Sequence, residues 1–171
     1  MRIRPETPAD HAAIRQINID AFAAHPFSRQ TEHLIVEALR RDGALAVSLV
    51  AEADGGEVDE SVIGHIAFSK ALISGRDLDW YLLGPVAVRP MLQGKGTGSA
   101  LVRAGLAALR GLGAQGCALV GDPAFYTRLG FTQAKRLAYP GVPGEYVLCL
   151  PLAGQEPEGD IGHHPAFEAG L

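Results

Sequence analysis

Cysteine is scarce. Cys117 and Cys149 are the only two in 171 residues, far apart and each inside an apolar run. That usage argues against a disulfide framework or a thiolate metal site and fits buried, reduced thiols in a cytoplasmic protein. Long hydrophobic runs are missing too. No stretch approaches the roughly 20 apolar residues of a membrane span, and Met1-Arg2-Ile3-Arg4-Pro5-Glu6 does not read as a signal peptide. An excess of positive charge is also absent: the formal net charge of −4 argues against nucleic acid and anionic membrane surfaces as partners. What is present is apolar content, 47%, enough for one domain with a sizeable core.

One stretch organises the rest. Gly84-Pro85-Val86-Ala87-Val88-Arg89-Pro90 reads as a strand end, and Gln93-Gly94-Lys95-Gly96-Thr97-Gly98-Ser99 as a glycine-rich turn. Val102, Leu106 and Leu109 then recur at helical spacing, so the turn sits at a helix N-terminus. Backbone N–H groups there lack intrahelical acceptors, the dipole is positive, and Lys95 adds charge. Such a place binds phosphate, and glycine allows close approach. Two nucleotide-binding patterns are excluded. A P-loop needs Gly-Lys-Ser/Thr, whereas Gly96 follows Lys95. A dinucleotide fingerprint needs Gly or Ala where Leu101 stands and an acidic residue further on, yet no Asp or Glu occurs between Ser99 and Gly121.

The remaining elements follow in order. Arg2-Ile3-Arg4 alternates as a first strand, and Thr7 with Pro8 opens a helix carrying Ile14, Ile17 and Ala21. Ser28 is the expected cap of a second helix through Leu34, Ile35, Ala38 and Leu39. Leu45–Glu52, Ser61–Ile73 and Trp80–Val88 predict a three-strand meander, with a turn at Asp54-Gly55-Gly56. Pro85 cannot donate to a ladder, so it implies an edge or a bulge, and a bulge would splay this strand from its later neighbour. The splay would leave backbone groups near Val86 and Val88 free for an extended ligand arm. Gly116–Val120, a short helix from Ala124 to Leu129, and strands Phe131–Lys135 and Glu145–Leu150 close the domain. Residues 153–171, rich in Gly, Pro, Glu and His, read as a mobile tail.

Gln-x-x-Gly-x-Gly after Val-x-Val-x-Pro, joined by Tyr126-Thr127-Arg128-Leu129-Gly130-Phe131, resembles the GCN5-related N-acetyltransferases (GNAT), over about 1–152. Gly121-Asp122-Pro123-Ala124-Phe125-Tyr126 is similar to the YhbS-like subgroup of that family. The resemblance implies an α/β fold: a mixed sheet of about six to seven strands, flanking helices, and a splayed cleft after the fourth strand. It implies acetyl-CoA as cosubstrate, with Gln93, Gly94, Lys95, Gly96, Thr97, Gly98 and Ser99 around the pyrophosphate. Val86, Ala87 and Val88 would meet the pantetheine arm, and Tyr126 would act as general acid to the departing thiolate. The implied acceptor is a small-molecule or peptide amine, and a homodimer is compatible with the fold.

One departure from the family pattern concerns the base. Leu82-Leu83-Gly84-Pro85 lacks the strand carboxylate that many members carry. Glu32 is the leading candidate elsewhere, with His65 and Asp79 behind it; each also reads as a solvated or structural group. Another acyl-CoA, a hydroxyl acceptor and a non-catalytic acyl-CoA sensor stay open alternatives.

Overall fold

Alternation along the strands builds two apolar faces, and helices cover both. In β2 (Val47–Glu52), Leu49 joins one cluster and Val50 the other, as successive side chains of a strand must. The computed structural model describes residues 1–55 and 61–170. Gly56, the last residue of the expected turn, lies outside them. After β1 (Arg2–Pro5) come α1 (His11–Phe22) and α2 (Glu32–Arg41), then β2, β3 (Val62–Ile73) and β4 (Arg76–Val88). Next are α3 (Thr97–Gly111), β5 (Gly116–Val120), α4 (Pro123–Tyr126), β6 (Thr132–Gln133), β7 (Leu137–Ala138), β8 (Val147–Pro151) and β9 (Gly159–Gly162).

Among the described residues the sheet has nine strands, seven of them in the order β1-β2-β3-β4-β5-β8-β6. β4 and β5 are the parallel pair within that order. On one face, Leu101, Val102, Leu106 and Leu109 of α3 pack on Leu49, Ile66, Phe68, Tyr81 and Leu83. On the other, Ile14 and Ile17 of α1 meet Val50, Val62 and Ala87. The helix starts follow local chemistry. The Thr7 N–H donates to Asp10 Oδ2 at 2.7 Å, and the Asp10 carboxylate also takes two bonds from Arg4. Ser28, by contrast, does not cap α2. Thr31 occupies that position, and Ser28 instead donates to the Glu32 carboxylate on the first turn.

The chain after residue 152 departs from the expected tail. β9 pairs with β3 (Leu72↔Gly162, Ile73↔Ile161) and runs parallel to β7 (Leu137↔Gly159). The Glu156 carboxylate accepts backbone bonds from Lys135 and Arg136, and Ala166 is buried against Ile35, Ala38 and Leu39 of α2. A few apolar residues, Ile161, Ala166 and Phe167, each find a prepared surface, so low overall hydrophobicity does not prevent docking. The domain therefore continues past Leu152.

Close packing of α3 on the sheet yields a testable asymmetry. A Cβ on Gly105 would lie 2.2 Å from Cε2 of the buried Phe68, whereas one on Gly111 meets nothing within 4 Å among the described residues. Gly105→Ala gains about 1 kcal/mol of helix propensity, but overpacking costs up to about 3 kcal/mol. The expected net loss is about 1–2 kcal/mol, a fall of roughly 3–6 °C in Tm. Gly111→Ala should hold or slightly raise Tm. Thermal unfolding of both variants checks the pair, and an unchanged Tm for Gly105→Ala would show that α3 does not sit this close.

Candidate acyl-transfer site

Register decides where the sheet opens. Between Ile66↔Val86 and Phe68↔Leu83, β3 contributes Ala67 while β4 contributes both Gly84 and Pro85, which is a bulge at the expected proline. β5 pairs with β4 only through Trp80, Tyr81 and Leu82. Beyond Leu82 the two strands part, and Val86 and Val88 line a cleft of about 430 Å³.

The cleft floor is the glycine-rich turn. Gly94 and Gly96 take φ values of +76° and +94°, the left-handed region that glycine enters without a Cβ penalty. Gly96 is the N-cap of α3, and the first intrahelical bond across it runs from Ala100 N–H to the Gly96 carbonyl at 3.0 Å. The amides of Thr97, Gly98 and Ser99 precede that bond at the positive end of the helix. Gln93 closes the turn by donating its side-chain amide to the Val88 carbonyl at 3.0 Å. The Thr97 side chain is buried, with its methyl beside Gly64, so only its backbone remains for a ligand. Lys95 is exposed at the rim.

Three cleft residues escape the sequence reading: Leu92, beside the turn, and Phe125 and Arg128. Phe125 and Arg128, on α4 and the turn after it, form the far wall. The phrase Phe125-Tyr126-Thr127-Arg128 contains both, but only the fold brings this turn against Gly98. The Arg128 guanidinium is exposed, with no carboxylate partner among the described residues. It gives the cleft lining a cation beside a helix N-terminus, an arrangement that can hold a diphosphate, while Lys95 is exposed between the lining Gly94 and Gly96.

Tyr126 stands next to Phe125, behind the cleft wall rather than in its lining. Its ring is held edge-on by Phe125 and Phe131, with centroids at 4.8 and 5.8 Å, and covers Gly121, whose Cβ would lie 2.6 Å from it. Burial first, then nearby Cys117 and Asp122, push the phenol well above its usual pKa. The hydroxyl has no hydrogen-bond partner among the described residues, so its proton is available.

The other candidates lie apart. Glu32 sits on the opposite face of the sheet, on the first turn of α2. Ser28 bonds its Oε1, while Oε2 is buried with no hydrogen-bond partner among the described residues. Asp79 is exposed near the start of β4, paired with Lys70 at 3.2 Å, remote from the cleft. His65 is fully buried between Ser48, at 2.9 Å, and Asn18, at 3.5 Å. Cys117 and Cys149 are buried free thiols on opposite sides of the sheet, both raised above their usual pKa chiefly by burial. No described helix is long and apolar enough to cross a membrane.

A family model for the acetyltransferase (GNAT) domain matches residues 44–133, which span the meander, the turn, α3 and α4. The chain belongs to the GNAT family. It is 37% identical over 150 residues to the uncharacterized N-acetyltransferase YhbS of Escherichia coli K12, covering 85% of this chain and 84% of that one. Two solved structures resemble it along nearly the whole length. A GNAT acetyltransferase of Brucella melitensis in complex with acetyl-CoA has a TM-score of 0.85 and 48% identity, covering 97% of each chain. E. coli YhbS in complex with CoA has a TM-score of 0.82 and 33% identity, over 99% of this chain and 93% of that one. The splayed α/β sheet of this GNAT protein is thus the fold of acyltransferases that carry CoA compounds.

Proposed function

We propose that this GNAT protein transfers an acetyl group from acetyl-CoA to a primary amine by direct attack within a ternary complex. The carrying observation is the cleft itself: two strands parted at a bulge, ending on the N-terminus of α3. The residues present fit the cosubstrate. Gly94 and Gly96 give its pyrophosphate access to backbone amides, with Lys95, Arg128 and the amides of Thr97, Gly98 and Ser99 supplying positive charge. Gln93 keeps the turn on the end of β4. The pantetheine arm lies along Val86, Ala87 and Val88, where backbone groups facing the gap have no β5 partner. A backbone N–H there polarises the thioester carbonyl and stabilises the tetrahedral intermediate. Tyr126 donates to sulfur as the C–S bond breaks. Glu32 offers its free Oε2 to the acceptor ammonium from the opposite face.

The first test is thermal unfolding with acetyl-CoA, CoA, ATP and NAD in parallel. Ligand at a hundred times its Kd adds about 2.7 kcal/mol, roughly 5–10 °C at this size. Shifts with acetyl-CoA and CoA but not with ATP or NAD are expected; no shift with either CoA compound would overturn the assignment. Arg128→Ala should weaken CoA binding roughly tenfold, the lower range for charge-assisted bonds because the group is exposed. Calorimetric titration measures it, and affinity equal to wild type would remove Arg128 from the pyrophosphate site.

A further inference from the structure

On the face opposite α3, the place where β4 leaves β5 is covered by the ring of Phe167. The last rung between the two strands is Leu82↔Ala118. Both residues belong to an apolar cluster with Ala71, Trp80 and Ile161, and Phe167 packs against that cluster. Two residues beyond the rung, a Cβ on Gly84 would meet Phe167 Cε1 at 4.0 Å, ordinary van der Waals distance. The ring therefore lies over the fork itself. Phe167 also joins Ala166 against Ile35, Ala38 and Leu39 of α2, so it spans from helix to sheet. On its outer side the His163 ring lies 5.5 Å away, backed in turn by Tyr139 at 5.7 Å.

The ring matters because little else holds β4 there. From Trp80 to Leu82 the strand has neighbours on both edges. From Val86 onward its β3 edge is regular again, through Ile66↔Val86, His65↔Ala87 and Gly64↔Val88. In between, Gly84 and Pro85 face Ala67 at the bulge and have no β5 partner among the described residues. Pro85 carries no N–H to donate, and Gly84 has no side chain to anchor the stretch. Its height above the sheet is thus set by packing on its two faces rather than by a ladder. Leu83 and Val86 pack toward α3 on one face. On the other, the contact at Gly84 is Phe167.

We propose that Phe167 is a positioning residue of the acyl site: its ring fixes the height of Gly84 and Pro85, and with it the β4 N–H that polarises the thioester carbonyl. The inference rests on the acyl-transfer reading. An N–H stabilises the developing oxyanion only while it is aimed at it, and a misplacement of about 1 Å can cost roughly a hundredfold in rate. Val86 is two residues from Gly84 on the same strand, so a tilt at the bulge is passed to its peptide. The role needs no contact between Phe167 and either substrate. Phe167 acts through β4, as a packed support behind a group that must be held still.

The test reads the carbonyl directly and needs no acceptor amine. Acetyl-CoA labelled with carbon-13 at the acetyl carbonyl is bound to the protein, and its C=O stretch is followed by isotope-edited infrared spectroscopy. Wild type should lower the frequency below that of free acetyl-CoA, as a directed hydrogen bond does. Phe167→Ala should lose roughly half of that shift or more, while its Kd for CoA stays within about twofold because the glycine-rich turn is untouched. Phe167→Leu, which refills most of the space, should keep most of the shift. Phe167→Val carries the same comparison if the alanine variant does not fold. Ile161→Ala loosens the same segment where it pairs with Ile73, so it should lower Tm yet keep the shift. Phe167→Ala with the wild-type shift would overturn the role and leave the ring as packing, and so would an equal loss in Ile161→Ala. Wild type that binds acetyl-CoA without any shift would overturn the N–H assignment and the positioning with it. Wild type that binds no CoA compound would overturn the acyl-CoA reading itself.

Discussion

Replacing Tyr126 with phenylalanine is expected to slow acetyl transfer about a hundredfold while CoA affinity changes less than about twofold. General acids contribute roughly 10²- to 10⁴-fold, and the structure argues for the lower end. Burial holds the Tyr126 phenol above its ordinary pKa, whereas a free thiol lies near 8.5. The phenol is thus a weaker acid than the thiol it would form. Full proton transfer runs uphill, so most of the benefit comes from a strong hydrogen bond as negative charge develops on sulfur.

The same shift sets the pH dependence. A raised pKa keeps the donor proton in place through the neutral and mildly alkaline range, so Tyr126 should impose no alkaline limb below about pH 10. The substituted ring in Tyr126→Phe would retain the edge-on packing with Phe125 and Phe131, so the variant isolates the hydroxyl from the ring. Single-turnover rates with and without the substitution measure the effect. A rate within threefold of wild type would take Tyr126 out of the chemistry and leave it a packing residue.

How much of this site is legible in sequence depends on the range of the forces that build it. The cradle is local. Glycines at positive φ, a strand before and a helix after lie within about fifteen residues, and each announces itself by residue type. The bulge is local too, since Pro85 removes a ladder donor wherever it stands. Ser28 and Thr31 show where local reasoning fails: both are competent caps, and the Glu32 carboxylate, by engaging Ser28, leaves Thr31 at the cap position.

The face of the sheet opposite α3 is non-local. Ile161 pairs with Ile73 and Phe167 reaches Gly84, contacts across more than eighty residues that no periodicity encodes. Arg128 falls between these cases: visible beside Tyr126, but given a purpose only by the approach of its turn to Gly98.

The largest stability effect should come from acid, through His65. Its ring is fully buried in a chain with one consistent direction of donation. The Ser48 hydroxyl donates to Glu6 at 2.7 Å, so it accepts from His65 Nε2, leaving Nδ1 to accept from Asn18. Arg40 holds Glu6 through two further bonds. A protonated ring would have a donor at Nδ1 facing the Asn18 amide, another donor, in a fully buried site. Burial, with Arg40 adding to it and Glu6 opposing, lowers the His65 pKa from 6.5 to about 4. Above pH 6.5 the ring is neutral both folded and unfolded, and folding carries no penalty. Between pH 6.5 and about 4 the unfolded chain binds a proton that the folded chain refuses, so stability falls as pH drops. The loss reaches about 3 kcal/mol at the bottom of that window. Carboxylates bonded in the fold, such as Asp10 at about 2, lose their contribution mainly at lower pH, as acid overtakes the unfolded value of 3.8. The slope between pH 5 and 6.5 therefore reports His65. Denaturant unfolding across that range should show it in wild type and lose most of it in His65→Gln. An equal slope in both would place the acid sensitivity elsewhere.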